Sequence, residues 1–247
     1  DVYKRQHYER LVEGLLAGHV HAAWNSPLAW LEAERAARAT GRVARAVCMR
    51  DTDRDLTSVV IVRADSPAKT LADLRGQVVA TGASDSPQAT LIPLGHLRRA
   101  GLDPARDVKL QRHDVLVGKH GDHVGGERDA VRALLERRAD AACIIDGNHL
   151  AFAKDGTLPS GSTRVLAQTG KYDHCNMTVL EGVAEPLVKR FVEALLSMRY
   201  DDPEVRPLLD LEGLKVWLPG RTSGYALLDE AVETKAWIDA WLAAQRR

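Results

Sequence analysis

The sequence predicts an α/β protein, and three observations lead to that prediction. Segments with the apolar spacing of helices alternate with short apolar runs typical of strands along nearly all of the 247 residues. Hydrophobic residues make up 45% of the chain and charged residues 28%, as in ordinary globular proteins. The length allows one large domain or two small ones. Alternation of this kind favours parallel strands joined by crossover helices.

Composition excludes several classes of protein. The 34 basic and 34 acidic side chains balance, so the chain lacks the positive field that non-specific binding to nucleic acid or a membrane surface requires. No apolar run approaches the roughly 20 residues that span a bilayer. Three cysteines do not make a disulfide framework. Cys48 and Cys143 lie in apolar, strand-like runs, whereas Cys175 lies in a polar context between His174 and Asn176.

Capping residues locate the helices in the first half of the chain. Ser26 and Ser86 are good N-cap residues, and each precedes a proline that suits the first helical turn. Gly18 ends the opening helix. The predicted helices cover residues 7–18, 28–38, 70–76 and 86–101, and the predicted strands cover residues 19–24, 43–49, 56–63, 77–82 and 108–113.

Residues 118–149 are the most informative stretch in the second half. A loop rich in glycine and histidine, over residues 117–126, precedes a predicted helix over 127–138 and a buried strand over 139–145. Polar groups thus converge at a helix N-terminus and a strand C-terminus, where α/β proteins bind small ligands. The remaining predicted helices cover residues 147–154, 186–200, 203–211 and 225–244, and the remaining strands cover 164–169, 175–180 and 214–218.

An ordered series of segments resembles the type II periplasmic solute-binding proteins. GHVHAAWNSPLAWLEA resembles their "G-x-V-D-x-A-x-x-x-P" segment, and LADLRG at 71–76 resembles their "L-x-D-L-x-G" crossing into the second lobe. GGERDAVRALLERRADAACI resembles their "G-x-H-D-A-A-V-x-A-x-x-x-G-x-A-D-A-A". The match is closest to the phosphonate/phosphite-type (PhnD-like) group of the PhnD/SsuA/transferrin superfamily.

The resemblance implies a two-lobed periplasmic-binding-protein-like II fold, with mixed sheets flanked by helices and a ligand cleft between the lobes. The first lobe would comprise residues 7–65 and 166–247, and the second lobe residues 66–165. Residues 1–6 look like a non-native segment, and we expect the family's first strand and helix to be missing before residue 7.

The resemblance also implies a function. The chain would be a monomeric solute-binding component of an ABC-type importer, located in the periplasm or anchored as a lipoprotein outside the cytoplasmic membrane. Its partners would be a small-molecule solute and the membrane permease, with no nucleic acid, no membrane span of its own, no catalytic residues and no cofactor.

Two departures from the family pattern bear on the solute. Phosphonate binders have a Ser-Thr-Ser turn before their "L-x-P" helix, whereas this chain has Ser86-Pro87-Gln88. Their histidine in "G-x-H-D" falls on Arg128, and arginine can hold an oxyanion through two hydrogen bonds. We therefore expect a small polar or anionic solute, either phosphonate- or phosphate-like or a related organic anion.

Twelve residues are candidates for contact with the solute, because they lie in turns at helix starts or strand ends. Several have an equally good structural interpretation: Ser86 and Asp146 as helix caps, Trp24 as core and Arg128 in a surface ion pair. We expect Tyr225 to pack within its lobe. The candidates are Trp24, Asn25, Ser26, Ser84, Ser86, Gly126, Glu127, Arg128, Asp146, Asn148, His149 and Asn176.

Histidine and cysteine residues suggest an alternative function. Imidazole and thiolate suit zinc, copper or iron, although the spacing here matches no named metal motif. The alternative is a metal- or cofactor-dependent enzyme, or a metal-chelate binder, on the same fold; a sensor domain is a third hypothesis. The sequence has no G-x-S-x-G, Walker A, G-x-G-x-x-G or H-E-x-x-H motif. The possible metal ligands are His120, His123, His149, His174 and Cys175.

Overall fold

A computed structural model describes residues 8–113, 123–233 and 236. Residues 1–6 and His120 therefore lie outside the described part of the chain. Helix also continues over residues 226–233. The helices are α1 (Tyr8–Leu16), α2 (Pro27–Ala39), α3 (Ile92–Arg99), α4 (His123–Leu135), α5 (Asp146–Lys154), α6 (Glu185–Leu196) and α7 (Arg206–Leu211). The strands are β1 (Ala22–Asn25), β2 (Ala44–Arg50), β3 (Ser58–Arg63), β4 (Val78–Thr81), β5 (Lys109–Arg112), β6 (Ala141–Ile145), β7 (Thr163–Gln168), β8 (Asn176–Leu180) and β9 (Trp217–Pro219).

The chain divides into two compact units. The first unit comprises Asp1–Leu56 and Tyr172–Ala226, and the second comprises Thr57–Lys171 and Leu227–Arg247. The units divide at 56/57 and 171/172, whereas the predicted lobe boundaries lie at 65/66 and 165/166. The reason is strand pairing: β3 hydrogen-bonds to both β6 and β7, so the second unit contains all three strands.

The first unit contains a four-stranded sheet with the order β1-β8-β2-β9, in which every neighbouring pair is antiparallel. Helix α2 begins as predicted: the Ser26 hydroxyl accepts a hydrogen bond from the Ala29 N–H at 3.3 Å, and Pro27 is the first helical residue. The alanines on the buried face of α2 pack with α1 and the sheet. This core cluster contains Val12, Leu15, Ala23, Ala29, Ala33, Ala37 and Leu180.

The second unit contains a five-stranded sheet with the order β5-β4-β6-β3-β7. Strand β4 is parallel to β5 and β6, whereas β3 is antiparallel to β6 and β7. Among the strands that the structure describes, the expected parallel pairing holds for β4, β5 and β6, and the sheet is mixed. Helices α4 and α5 cover this sheet through a core that includes Ile61, Val131, Leu134, Ile144 and Phe152.

Helix α4 begins four residues before the predicted start at Glu127, because its first residue is His123. The predicted loop over 117–126 is therefore wrong for residues 123–126, and its remaining residues up to 122 lie outside the described part. A Cβ on Gly126 would lie 2.7 Å from the backbone oxygen of His113. The glycine thus lets the first turn of α4 approach the end of β5 closely.

The later helices are shorter than predicted. The 186–200 prediction corresponds to α6, which ends at Leu196, and the 203–211 prediction to α7, which begins at Arg206. Among the described residues, no helix is both long and apolar enough to cross a bilayer.

Candidate functional site

In the second unit, a helix begins at the Ser86-Pro87-Gln88 turn. A π-helical turn over Pro87–Leu91 continues directly into α3. Ser86 is fully buried, and its hydroxyl accepts a hydrogen bond from the Ala89 N–H at 3.2 Å. The serine therefore acts as the predicted N-cap. Ser84, in the preceding turn, is half-buried.

Gln88 carries a buried acceptor at the same helix start. Its backbone oxygen accepts a hydrogen bond from the Ser58 hydroxyl at 2.5 Å, which fixes the residue against β3. The side chain is 7% exposed, and within the described part of the chain its Oε1 has no hydrogen-bond partner. A buried acceptor usually has a partner, so this oxygen is suited to receive a donor from a ligand.

The start of α4 brings a carboxylate to the same end of the sheet. Glu127 is fully buried, and its Oε2 accepts hydrogen bonds of 2.9 Å from the Ile145 N–H and from Asn148 Nδ2. A Cβ on Gly82 would lie 2.8 Å from Ala89 Cβ and 3.8 Å from Glu127 Cγ. The end of β4, the end of β6 and the starts of three helices therefore meet around these residues.

Asp146 is the first residue of α5, but Ile145 is the N-cap position. One Asp146 oxygen, Oδ2, accepts a hydrogen bond from the Thr57 hydroxyl at 2.5 Å, and Gln168 Nε2 donates to that hydroxyl at 2.7 Å. The capping interpretation of Asp146 is therefore wrong, because the N-cap position belongs to Ile145 and the Asp146 carboxylate bonds to Thr57, the residue before β3. Thr57 and Gln168 are not among the predicted site residues, because they carry no motif and adjoin or lie within apolar strands.

The Arg128 side chain contacts three neighbours in its own unit. Its Nη1 contacts Asp155 Oδ2 at 2.8 Å and donates to the Thr157 hydroxyl, and the guanidinium lies 4.5 Å from the centre of the Phe152 ring. Hydrogen bonds from Thr157 and then from Arg128 lower the pKa of Asp155 to about 2. This geometry favours the ion-pair interpretation of Arg128 over an anion clamp. His149 is half-buried on α5.

In the first unit, a chain of hydrogen bonds connects buried polar side chains. Asn25 Nδ2 donates to Thr178 Oγ1 at 2.9 Å, and that hydroxyl donates to Asn176 Oδ1 at 2.7 Å. Asn176 Nδ2 donates to the Tyr225 hydroxyl at 2.8 Å, which donates to the His174 backbone oxygen at 2.8 Å. Each member has a defined role as donor and acceptor, so the amide orientations are fixed.

The chain of hydrogen bonds does not use the side-chain oxygen of Asn25, the residue at its first end. Asn25 is fully buried at the end of β1, directly before the α2 N-cap, and its Oδ1 has no hydrogen-bond partner among the described residues. Trp24 is half-buried and packs edge-on against Trp217 with ring centres 5.6 Å apart. Tyr225 is buried and packs near Trp30, at 5.6 Å between ring centres.

A second polar cluster in the first unit joins Asp53, His174 and Cys175. His174 Nδ1 lies 3.1 Å from Cys175 Sγ and 3.5 Å from Asp53 Oδ1. Arg50 holds the same carboxylate through Nε at 2.5 Å and Nη2 at 3.0 Å, and its guanidinium lies 5.0 Å from the Trp24 ring centre. Asp53 is not among the predicted metal ligands, because it lies in a turn with other aspartates and is far from His174 in the sequence.

Burial and charge act in opposite directions in this cluster. Burial penalises the Asp53 carboxylate, but hydrogen bonds from His174 and Arg50 outweigh it and hold the pKa of Asp53 below its usual value. Burial also acts to lower the pKa of His174, but Cys175 and Asp53 outweigh it and raise that pKa to about 10. The cluster therefore favours positive charge at the position of the imidazole.

The predicted set of metal ligands is only partly brought together. Within the described side chains, the group of three or more that could hold a metal is Asp53, His174 and Cys175. His149 belongs to the second unit. His123 begins α4, and its side chain and His120 fall outside the described part.

Comparison with known proteins identifies the family. A family model described as "ABC transporter, phosphonate, periplasmic substrate-binding protein" matches residues 2–225. The chain belongs to this family. As a member of the phosphonate-binding family it is a substrate-binding component of an ABC importer, and the enzyme alternative finds no support. A search of curated proteins gives no match.

Solved structures share the fold of this member of the phosphonate-binding family. PhnD1 from Prochlorococcus marinus in complex with methylphosphonate has a TM-score of 0.65 at 14% identity, over 91% of this chain and 82% of that one. XAC2383 from Xanthomonas citri bound to ATP has a TM-score of 0.63 at 18% identity, over 98% and 86%. A phosphonate-transporter binding protein from Pseudomonas aeruginosa, PA3383, has a TM-score of 0.59 at 11% identity, over 100% and 88%. The predicted fold class is thereby confirmed.

Proposed function

We propose that this protein captures a small organic anion that also carries a hydrogen-bond donor, such as an amine. Family membership supports capture on the outer side of the cytoplasmic membrane and delivery to the permease of an importer. The solute class follows from the side chains that the second unit gathers at its helix starts.

Helix starts favour anionic groups. The helix from Pro87, α4 and α5 all begin near the ends of β4 and β6, and helix N-termini carry partial positive charge and N–H groups without helical partners. Proline removes one of these donors at Pro87. An anionic group of the solute therefore has donors available, but fewer than the Ser-Thr-Ser turn of a phosphonate binder provides.

Acceptors at the same place favour a donor on the solute. Gln88 stands where phosphonate binders have their second serine, and its buried Oε1 has no hydrogen-bond partner among the described residues. Glu127 and Asp146 add carboxylates to the second unit's cluster. A solute without a donor would leave the Gln88 oxygen desolvated and unpaired, which costs about 1–3 kcal/mol. The Gln88 oxygen is the observation that carries this proposal.

A matched pair of solutes tests the proposal. Methylphosphonate and an aminoalkylphosphonate share the anionic group, and only the second carries a donor. We expect calorimetry to give at least tenfold tighter binding of the amino compound, with thermal stabilisation to match: about 2.7 kcal/mol at a hundred times the dissociation constant. Equal or tighter binding of methylphosphonate would contradict the donor requirement, and failure of every organic anion tested would contradict the anionic class.

The substitution Gln88→Ser tests how much the Gln88 side chain contributes to the solute preference. We expect the variant to lose most of the preference for the amino compound, because the shorter serine side chain withdraws the acceptor and its hydroxyl can donate to the anionic group instead. Gln77→Ala is the matched control, since Gln77 is an exposed glutamine of the same unit. A preference that persists in Gln88→Ser would remove Gln88 from the site.

A further inference from the structure

The three side chains Asp53, His174 and Cys175 offer one carboxylate oxygen, one imidazole nitrogen and one sulfur within 4.8 Å of one another. Asp53 ends a short 3-10 turn that follows β2, and His174 and Cys175 directly precede β8. Because β2 and β8 are paired neighbours in one sheet, the backbone itself holds these two segments side by side. The cluster is thus built into the first unit and does not depend on a loop tip.

The separations agree with the edges of a metal coordination sphere. Zinc binds nitrogen at about 2.0–2.1 Å, sulfur at about 2.3 Å and oxygen at about 2.0–2.2 Å, so tetrahedral neighbours lie roughly 3.4–3.6 Å apart. His174 Nδ1 lies 3.1 Å from Cys175 Sγ and 3.5 Å from Asp53 Oδ1. The two distances from Nδ1 are therefore within a few tenths of an ångström of tetrahedral values, and the carboxylate oxygen and the sulfur lie within 4.8 Å of each other.

We propose that Asp53, His174 and Cys175 form a binding site for a thiophilic divalent metal ion, with Zn²⁺ as the best fit. Sulfur and imidazole select zinc-like metals over magnesium and calcium, which prefer oxygen. On binding, the metal displaces the protons that Cys175 Sγ and His174 Nδ1 hold, these protons go to solvent, and the thiolate sulfur and the freed Nδ1 lone pair coordinate the ion. The site goes beyond solute capture and does not require it.

The surroundings suit such a site. Asp53 is 1% exposed and Cys175 6%, while the His174 side chain is 20% exposed and gives the cluster its access to solvent. Arg50 holds both carboxylate oxygens, as outer partners of ligating carboxylates commonly do. Three protein ligands leave the fourth position to water or to a donor atom of another molecule.

The test uses the full chain freed of metal by a chelator. We expect one Zn²⁺ per chain at micromolar or lower free zinc, and at least a hundredfold weaker binding in Cys175→Ser and in His174→Gln. His21→Gln is the matched control, because His21 is an exposed histidine of the same unit and should leave the affinity unchanged. Zinc affinity that survives in both ligand variants, or no stoichiometric binding at all, would overturn the proposal.

Cobalt and alkylation give readouts that do not depend on folding of the variants. Co²⁺ bound to the wild-type chain should show thiolate charge-transfer absorption in the near ultraviolet, and Zn²⁺ should slow alkylation of Cys175 at least tenfold. Cys48 and Cys143 are the internal controls, since both are fully buried and should stay unmodified in either state. Absence of the cobalt band, or alkylation of Cys175 at the same rate with zinc, would count against the site.

Discussion

A single buried carboxylate illustrates how much depends on individual residues in this fold. Glu127 accepts hydrogen bonds from the Ile145 N–H and from Asn148, so it joins the start of α4 to the end of β6 and to α5. It lies one turn into α4, beyond the first turn where the helix dipole acts, so these hydrogen bonds are what hold its carboxylate. The residue was predicted as a ligand contact, and its hydrogen bonds give it a structural role as well.

Two substitutions of Glu127 separate its charge from its hydrogen bonds. Glu127→Ala leaves the Ile145 N–H and the Asn148 amide without their acceptor, and we expect the free energy of unfolding to fall by about 2–4 kcal/mol. Glu127→Gln keeps an acceptor and should cost less than half as much. Urea unfolding measures both values, and equal losses would show that the charge, not the hydrogen bonds, stabilises the fold.

At the scale of elements, close approach explains where the helices of the second unit begin. The first turn of α4 contains Gly126, whose missing side chain leaves room for the backbone of His113 and Ala83. Gly147, in the first turn of α5, has nothing within 4 Å of an added Cβ. Gly126 is therefore needed for close packing of two backbone segments, whereas Gly147 is not.

Alanine at each glycine gives a matched comparison. In Gly126→Ala the new methyl group would meet the His113 oxygen, so α4 must shift, and we expect a loss of about 1–3 kcal/mol in unfolding free energy. Gly147→Ala should be neutral or stabilise by up to about 1 kcal/mol, because alanine favours the helix. Thermal or urea unfolding checks both, and similar values for the two variants would contradict the packing argument.

Sequence patterns located most elements but not their partners. Ser26 with Pro27 and Ser86 with Pro87 marked helix starts, because capping chemistry is local. Strand directions were predicted less well, since alternation does not reveal that β3 pairs antiparallel with β6 and β7. The same limit hid Asp53, Thr57 and Thr178, whose roles arise from contacts with residues far away in the sequence.

At the scale of the whole molecule, each unit has a core of its own. Leu15 belongs to the core cluster of the first unit, and Leu134 belongs to that of the second. Separate cores allow separate local unfolding equilibria, in which destabilisation of one region is not shared by the other. The substitution of a core leucine in each unit can therefore reveal whether the units are thermodynamically independent.

Leu134→Ala and Leu15→Ala make this comparison directly. Each creates a cavity that we expect to cost about 2–5 kcal/mol. Hydrogen exchange measured by mass spectrometry should speed up in β4 and β6 for Leu134→Ala and in β1 and β8 for Leu15→Ala. A uniform increase over both units in either variant would mean that they unfold as one.

The hydrogen bonds of the buried chain in the first unit all run from donor to acceptor in the same sense, and this determines which atom lies at its Asn25 end. Every link from Asn25 to the His174 carbonyl passes a hydrogen the same way, so a side-chain amide that reversed would lose its own links in the chain. The network therefore holds Asn25 Oδ1 in place as an acceptor, and this oxygen has no hydrogen-bond partner among the described residues. A group that contacts Asn25 Oδ1 must therefore offer an N–H or O–H hydrogen, because an oxygen without a hydrogen would be repelled by the amide oxygen.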